Sequence, residues 1–130
     1  MTTDLFYLAL TAGLCAFLWM PYIIGYVVTG GPLTPQEYRD GAVRQAPAWI
    51  ARAERTHMNL VENIGHFAAL VLIAHVSGEA NSTTAIATTA FFWFRIGHAT
   101  VHIAGIPYIR TLIYLFGFAA EVVILVQILT

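Results

Sequence analysis

The sequence of 130 residues contains no lysine, and only 10% of its residues are charged. A soluble globular domain has about 25% charged residues, so this chain has too few charges to cover a surface that faces water. In contrast, 58% of its residues are hydrophobic. There is also no basic patch with interleaved aromatic residues, which excludes nucleic acid as a partner. The composition therefore predicts a protein embedded in a lipid bilayer.

Cysteine is almost absent as well. Cys15 is the only one, which excludes an intramolecular disulfide and favours a small hydrophobic packing residue. The amino-terminal segment lacks the basic start of a signal peptide and has Asp4 there instead. No small-residue cleavage site precedes the next polar stretch. We expect this segment to be retained as a membrane span.

Four apolar segments account for most of the length: 4–29, 48–77, 82–105 and 107–129. Each exceeds the roughly 20 residues that a helix needs to cross a hydrocarbon core. Pro21 predicts a kink in the first segment, because proline removes a helical N–H group. The sequence predicts an all-α integral membrane protein, a four-helix bundle formed by one domain of residues 1–130. Stretch 30–47 is rich in glycine and proline and is either a plain linker or a partly ordered lid.

The basic residues gather on one side of the predicted membrane. They lie in or just after stretch 30–47 and after the turn that precedes the last segment: Arg39, Arg44, Arg52, Arg55 and Arg110. The opposite side has no basic residue. Because basic loops stay in the cytoplasm, both termini are predicted to be non-cytoplasmic. The compact loops favour a bacterial inner membrane, and the endoplasmic reticulum is the alternative.

The second segment begins with a polar stripe. At 100° per residue its members fall within an arc of about 80° and extend for roughly 20 Å along the helix. They are Arg52, Arg55, Asn59, Glu62 and His66. A charge near the centre of a bilayer costs at least about 2.5–3.5 kcal/mol, so lipid cannot face the stripe. We expect it to face other helices or a polar cavity.

The third and fourth segments carry matching polar faces. These faces consist of Arg95, His98 and His102 on the third, and Arg110, Tyr114, Gly117 and Glu121 on the fourth. One interpretation is purely structural: Arg95 pairs with Glu62 or Glu121, while Arg52 and Arg55 reach the membrane interface as anchors. The other interpretation is a binding site between three helices.

Arginines in a low-dielectric cleft favour an anion, through bidentate contacts to carboxylates and by stabilising a thiolate. Glutathione has two carboxylates, one ammonium and one thiol. The carboxylates would match Arg52 and Arg55, and the ammonium would match Glu62. The thiol would match Arg110. Lowering a thiol pKa from about 8.5 to 6.5 requires roughly 3 kcal/mol, which one partly desolvated guanidinium supplies.

The pattern Arg-x-x-Arg-x-x-x-Asn-x-x-Glu, here at residues 52–62, resembles the signature of the MAPEG family, the membrane-associated proteins of eicosanoid and glutathione metabolism. The stretch "FFWFRIGHATVHIAGIPYIRTLIYLFGF" is similar to the third and fourth helices of that family. The resemblance implies a homotrimer that binds glutathione as co-substrate between neighbouring subunits, with no metal. It also implies a glutathione transferase-like or peroxidase-like enzyme acting on a hydrophobic electrophile that enters from the bilayer.

Carried over position by position, the resemblance makes Arg110 the catalytic residue beside the thiol, with Thr111 in place of a serine that some members have. The glutathione-binding residues would be Arg52, Arg55, Asn59, Glu62, His98 and Tyr114, to which the shared polar face of the third segment adds Arg95 and His102. Two positions depart from the family pattern: Met58 replaces a basic residue, and His102 replaces a tyrosine.

Two other function classes remain open. The family also contains members that bind lipid without catalysis, so a non-catalytic membrane scaffold or lipid-binding trimer is the first alternative. The second is a haem or metal protein that uses His98 and His102, which lie four residues apart on one helix face.

Overall fold

Helices form almost the whole chain. The structure, a computed structural model, describes residues 1–41 and 44–130. Within these ranges it contains six helices and no strand, which confirms the all-α prediction. The helices are α1 (Thr3–Phe17), α2 (Met20–Gly30), α3 (Pro35–Asp40), α4 (Ala48–Ser77), α5 (Ser82–Ala104) and α6 (Ile109–Leu129).

The first segment is interrupted just before Pro21, where the sequence predicts a kink. Helix α1 ends at Phe17, and α2 begins at Met20 with Pro21 in its first turn. Proline has no N–H to donate to the carbonyl four residues earlier, and its ring clashes with that carbonyl, here the one of Phe17. The two helices together form one long apolar element with a break, Thr3–Gly30.

Three helical elements are long and apolar enough to cross a membrane: Thr3–Gly30, Ala48–Ser77 and Ile109–Leu129. Helix α5 has 23 residues, and at 1.5 Å per residue it is about 35 Å long. Length is therefore no obstacle to spanning, but α5 is less apolar than the other three. Its polar residues include five threonines, Arg95, His98 and His102.

Helix α5 packs against α1, α4 and α6, and this packing defines the apolar core. The ring of Phe67 stacks on that of Phe91, with centroids 3.8 Å apart and an angle of 11° between the planes. Other buried members of the core are Val71, Ala74, Ala87, Ala120 and Ile124. All come from the carboxyl-terminal halves of α4 and α6 and the amino-terminal half of α5. The largest apolar cluster therefore occupies one half of the bundle.

Short connections place consecutive helices side by side and antiparallel. Helix α4 ends at Gly78 and α5 ends at Gly105, both in the left-handed conformation that favours glycine. Asn81 caps the start of α5 by accepting hydrogen bonds from the backbone N–H groups of Thr83 and Thr84. This arrangement brings the start of α4, the end of α5 and the start of α6 to the same end of the bundle.

The predicted loop 30–47 contains the short helix α3; residues 42 and 43 of this stretch lie outside the described residues. Arg44 ties the loop together. Its guanidinium donates to both carboxylate oxygens of Glu37, at 2.9 and 2.7 Å, and to the carbonyls of Gly31 and Pro32. Glu37 also accepts from the backbone N–H of Thr34 at 2.8 Å, which completes a capping box.

These contacts favour the ionised carboxylate. The hydrogen bonds from Arg44, followed by those from Thr34, lower the pKa of Glu37 from 4.5 to about 2. The contribution of Glu37 to loop stability is therefore complete above pH 4.5 and is lost as the pH falls toward 2.

We predict that the Thr34 amide proton keeps its hydrogen-bonded NMR shift down to pH 4 and loses it with a midpoint near pH 2. The variant Glu37→Gln is the control and should lack this titration. A midpoint near 4.5 in the unaltered protein would show that the carboxylate is not held by Arg44.

Candidate functional site

A cavity of about 490 Å³ opens between α4, α5 and α6 at the arginine-rich end of the bundle. Its lining is polar on all three helices. The lining residues are Arg55, Met58, Asn59, Glu62, His98, His102, Arg110, Thr111 and Tyr114. The three polar faces predicted from the sequence therefore meet at one place.

Helix α4 supplies the longest wall of the cavity. Arg55, Asn59 and Glu62 recur at spacings of four and three, so they lie on one face on successive turns. Arg55 and Glu62 are exposed in the single protomer, and Asn59 is half-buried. The stripe continues one turn further to His66, whose Nδ1 lies 3.0 Å from Oε1 of the buried Glu121. The predicted polar cavity along this stripe is confirmed for its central residues.

Arg95 lies behind the cavity wall and not in it. Its side chain is buried, and Nη1 donates to Oδ1 of Asn59 at 2.8 Å. The guanidinium also packs over the rings of Phe91 and Tyr114, at 4.9 and 5.3 Å from their centroids. The pairs with Glu62 or Glu121 that the sequence suggested are not found in the described part of the chain. Arg95 instead orients the amide of Asn59.

Asn63 is a site residue that the sequence reasoning missed. It is buried, donates to the backbone carbonyl of Asn59 at 2.6 Å, and accepts from the hydroxyl of Tyr114 at 3.3 Å. Asn63 therefore links α4 to α6 and orients Tyr114 toward the cavity. Its signal in the sequence is an amide deep inside an apolar segment, which needs partners as much as a charge does.

Arg52 is also outside the cavity lining. Its Nε donates to the backbone carbonyl of Ile103 at 3.0 Å, in the last turn of α5. The two arginines that begin the polar stripe are thus separated in space. Arg55 faces the cavity, whereas Arg52 faces the turn between α5 and α6.

The two histidines of α5 form the back of the cavity. His98 and His102 are both buried, and their ring centroids are 5.4 Å apart. Nδ1 of His102 lies 3.0 Å from the hydroxyl of Thr56, whereas its buried Nε2 has no hydrogen-bond partner. Across residues 1–41 and 44–130, no three His, Cys, Asp or Glu side chains come together as metal ligands would.

Helix α6 carries a cation, Arg110, in its first turn. Arg110 and Thr111 lie in its first turn, which contains no acidic residue. The amino terminus of a helix carries a partial positive charge, so an arginine there is unfavourable by roughly 0.3–1 kcal/mol unless an anion is close by. The end of the cavity near Arg110 therefore suits a negatively charged atom.

The geometry agrees with a comparison of the sequence with known families. A family model of the MAPEG family matches residues 5–130, essentially the whole chain. No curated protein and no solved structure matches. The match confirms the family resemblance of the sequence and includes every residue that lines the cavity.

The contact between Thr56 and His102 yields a stability prediction. Thr56→Val keeps the shape of the side chain but leaves the buried Nδ1 of His102 without a partner, which costs about 1–3 kcal/mol. Thr88→Val is the matched control, because Thr88 is also buried and its hydroxyl bonds only within its own helix, to Thr84. In denaturant unfolding in detergent, Thr56→Val should lose about 1 kcal/mol more than Thr88→Val. Equal losses would contradict the contact.

Proposed function

Because the chain belongs to the MAPEG family, we propose that it is a glutathione-dependent membrane enzyme of the transferase or peroxidase type. The protein is an integral membrane protein, as its apolar helices and its family indicate. The observation that carries the proposal is the single cavity that gathers Arg55, Asn59, Glu62 and Arg110. In this proposal glutathione binds there as co-substrate and reacts as a thiolate.

The size and charge of the cavity suit a charged tripeptide. Its volume of about 490 Å³ lies within the range of ligand pockets, about 300–1,000 Å³. Arg55 and Glu62 are seven residues apart on α4 and therefore about 10 Å apart along the helix. Arg55 binds a carboxylate of glutathione, and Glu62 binds its ammonium group. Asn59 hydrogen-bonds the peptide between them.

The thiol of glutathione lies near Arg110. The guanidinium and the amino terminus of α6 both favour negative charge. Arg110 is exposed in the single protomer, so in the proposed trimer a neighbouring copy reduces the screening of that charge by water. Tyr114, His98 and His102 line the same part of the cavity. These groups stabilise the thiolate over the thiol, and the thiolate is the nucleophilic form.

The second substrate is a lipophilic electrophile that enters laterally from the bilayer. The thiolate sulfur attacks an electrophilic carbon in a conjugation, or an oxygen of a peroxide in a reduction. In the first case a carbon–sulfur bond forms, and the electron pair moves to the leaving group or to the acceptor carbon. In the second case a sulfur–oxygen bond forms as the oxygen–oxygen bond breaks, and the departing alkoxide takes a proton to become an alcohol. A second molecule of glutathione then reduces the resulting sulfenic acid, which gives glutathione disulfide and water. Arg110 supports both reactions in the same way, by holding the sulfur as an anion before attack.

Exposed polar residues support a homotrimer of four-helix protomers in which α5 is the fourth span. Glu62 and His66 are exposed in the single protomer although they lie well inside an apolar helix. Lipid cannot solvate them, so a neighbouring copy has to cover this face. The cavity then lies between two protomers. We infer from the arginines at the cavity end that this end faces the cytoplasm and that both termini lie outside it, in a bacterial inner membrane.

One observation favours a second candidate, a non-catalytic membrane scaffold or lipid-binding trimer. Arg52 and Arg95, two of the predicted glutathione contacts, both make hydrogen bonds within the protein. If all the polar residues served packing in this way, the protein would bind no thiolate. The state of the bound thiol therefore separates the two candidates.

We predict that the complex with glutathione absorbs in the ultraviolet as a thiolate at neutral pH. Arg110→Ala should raise the pKa of the bound thiol by about 1–2, which corresponds to roughly 1.4–2.7 kcal/mol. The affinity for glutathione should change less, because the carboxylate contact lies on α4. Arg110→Lys should restore only part of the thiolate signal. Bound glutathione without a thiolate near pH 7 in the unaltered protein would favour the scaffold.

The mass of the purified protein tests the trimer. One chain has a mass of 14.3 kDa, so native mass spectrometry should find a particle about three times as heavy. Replacing the polar face by Glu62→Leu with His66→Leu should weaken the trimer, because these groups need polar partners in the neighbouring copy. The lack of lysine makes amine cross-linkers unsuitable for this experiment. A monomer in several mild detergents would contradict the proposal.

A further inference from the structure

The separation of Arg52 from the cavity assigns it a different task from Arg55. We propose that Arg52 is a positioning residue that holds the turn between α5 and α6 and thereby aims Arg110 at the bound thiol. It makes no contact with glutathione. This inference rests on the proposed function for its effect on the thiol, whereas its effect on the turn is independent of any ligand.

Arg52 contacts the carboxyl-terminal end of α5. The Nε of Arg52 donates to the carbonyl of Ile103, which belongs to the last helical turn and has no partner further along the helix. A guanidinium at this position also interacts favourably with the negative end of the helix dipole. Arg52 is therefore bound to α5 by both a hydrogen bond and charge.

Arg52 also lies close to the backbone of Gly105. Gly105 has a φ of +78°, and a Cβ atom built there would lie 2.9 Å from Cζ of Arg52. The guanidinium thus lies directly against the backbone of the turn. This leaves no room for a side chain at residue 105 while Arg52 stays in place.

The turn between α5 and α6 connects Gly105 to Arg110. The turn is tight: the N–H of Ile106 bonds to the carbonyl of Val101, and that of Ile109 bonds to the carbonyl of Pro107. Tyr108 precedes α6 with a φ of +64°, an uncommon value for a residue other than glycine. Because the turn is constrained in this way, a shift of Gly105 also shifts the first turn of α6. Arg110 follows Gly105 by only five residues.

A second contact reinforces the first. The carbonyl of Arg52 accepts a hydrogen bond from the hydroxyl of Thr56 at 2.7 Å, and the same hydroxyl lies 3.0 Å from Nδ1 of His102. One turn of α4 therefore holds α5 at Ile103 through a side chain and at His102 through Thr56. Both held residues lie next to the turn that leads to Arg110.

The first test compares Arg52→Gln with Arg55→Gln. Hydrogen–deuterium exchange of residues 103–112 should become at least about tenfold faster in Arg52→Gln and stay unchanged in Arg55→Gln. In calorimetry with glutathione, Arg55→Gln should weaken binding at least about tenfold and Arg52→Gln less than about threefold. Arg52→Gln should nevertheless raise the pKa of the bound thiol by about 1, a tenfold change in the ionisation constant.

The second test displaces Arg52 without altering it. Gly105→Ala should accelerate exchange in the turn and raise the pKa of the bound thiol as Arg52→Gln does. Gly78→Ala is the matched control, because Gly78 also ends a helix with a positive φ but a Cβ there would meet nothing within 4 Å. In the double variant Arg52→Gln with Gly105→Ala the two effects on exchange should not add, since both act through one contact.

The outcomes separate this inference from the proposed function. If the unaltered protein binds no glutathione, the proposed function fails, and the exchange data alone judge whether Arg52 holds the turn. If glutathione binds and Arg52→Gln weakens it as much as Arg55→Gln does, Arg52 is a ligand contact and the inference is wrong. Unchanged exchange in Arg52→Gln would also overturn it.

Discussion

A polar side chain inside a hydrocarbon layer persists only where other polar groups meet it, and this constraint shapes the whole protein. In one half of the bundle most buried side chains around Phe67 and Phe91 are apolar, and the hydroxyl of the buried Thr88 bonds to the backbone of its own helix. In the other half, polar side chains meet this constraint by contacting other polar groups of the protein. Arg95 meets Asn59, and Arg52 meets the end of α5. Within residues 1–41 and 44–130 Arg55 and Arg110 have no such partner, which makes them the cations available to a ligand.

Much of the fold could be predicted from the sequence, because its local signals are strong. The apolar segments, the break before Pro21 and the glycine that ends α5 all depend on neighbouring residues in the chain. The convergence of the polar faces also followed from helical spacing. The lower apolarity of α5 is the exception, since residues such as Arg95 are buried against neighbours and not against lipid.

The candidate site was predicted less completely, for a physical reason. Helical periodicity fixes the direction of Cβ, but an arginine side chain reaches several ångströms further through rotatable bonds. Arg52 and Arg55 share one arc on α4, yet the first turns toward Ile103 and the second toward the cavity. In the same way the structural interpretation paired Arg95 with a carboxylate, whereas its guanidinium donates to the amide oxygen of Asn59. Asn63 carries no charge, and an amide is a weaker signal of a site than a charge in an apolar segment.

Two residues of the cavity lining differ from the pattern that the family resemblance implies. Met58 and His102 line the cavity at the two positions where the family resemblance implies a basic residue and a tyrosine. Both changes reduce the number of groups that can hold an anion or donate from a phenol. If glutathione binds, the negative charge of its sulfur therefore depends strongly on Arg110 and on the start of α6. A well-placed Arg110 matters more here than in a site with more cations.

The proposed activity requires that the protein binds glutathione and that the thiol of the bound glutathione ionises. Calorimetric titration of the purified wild-type protein with glutathione, in two buffers of different ionisation enthalpy near pH 7, measures both parts at once. The account predicts a saturable heat that differs between the buffers, because a proton leaves the thiol, and no such difference for the S-methyl derivative. No saturable heat with glutathione in either buffer would contradict it.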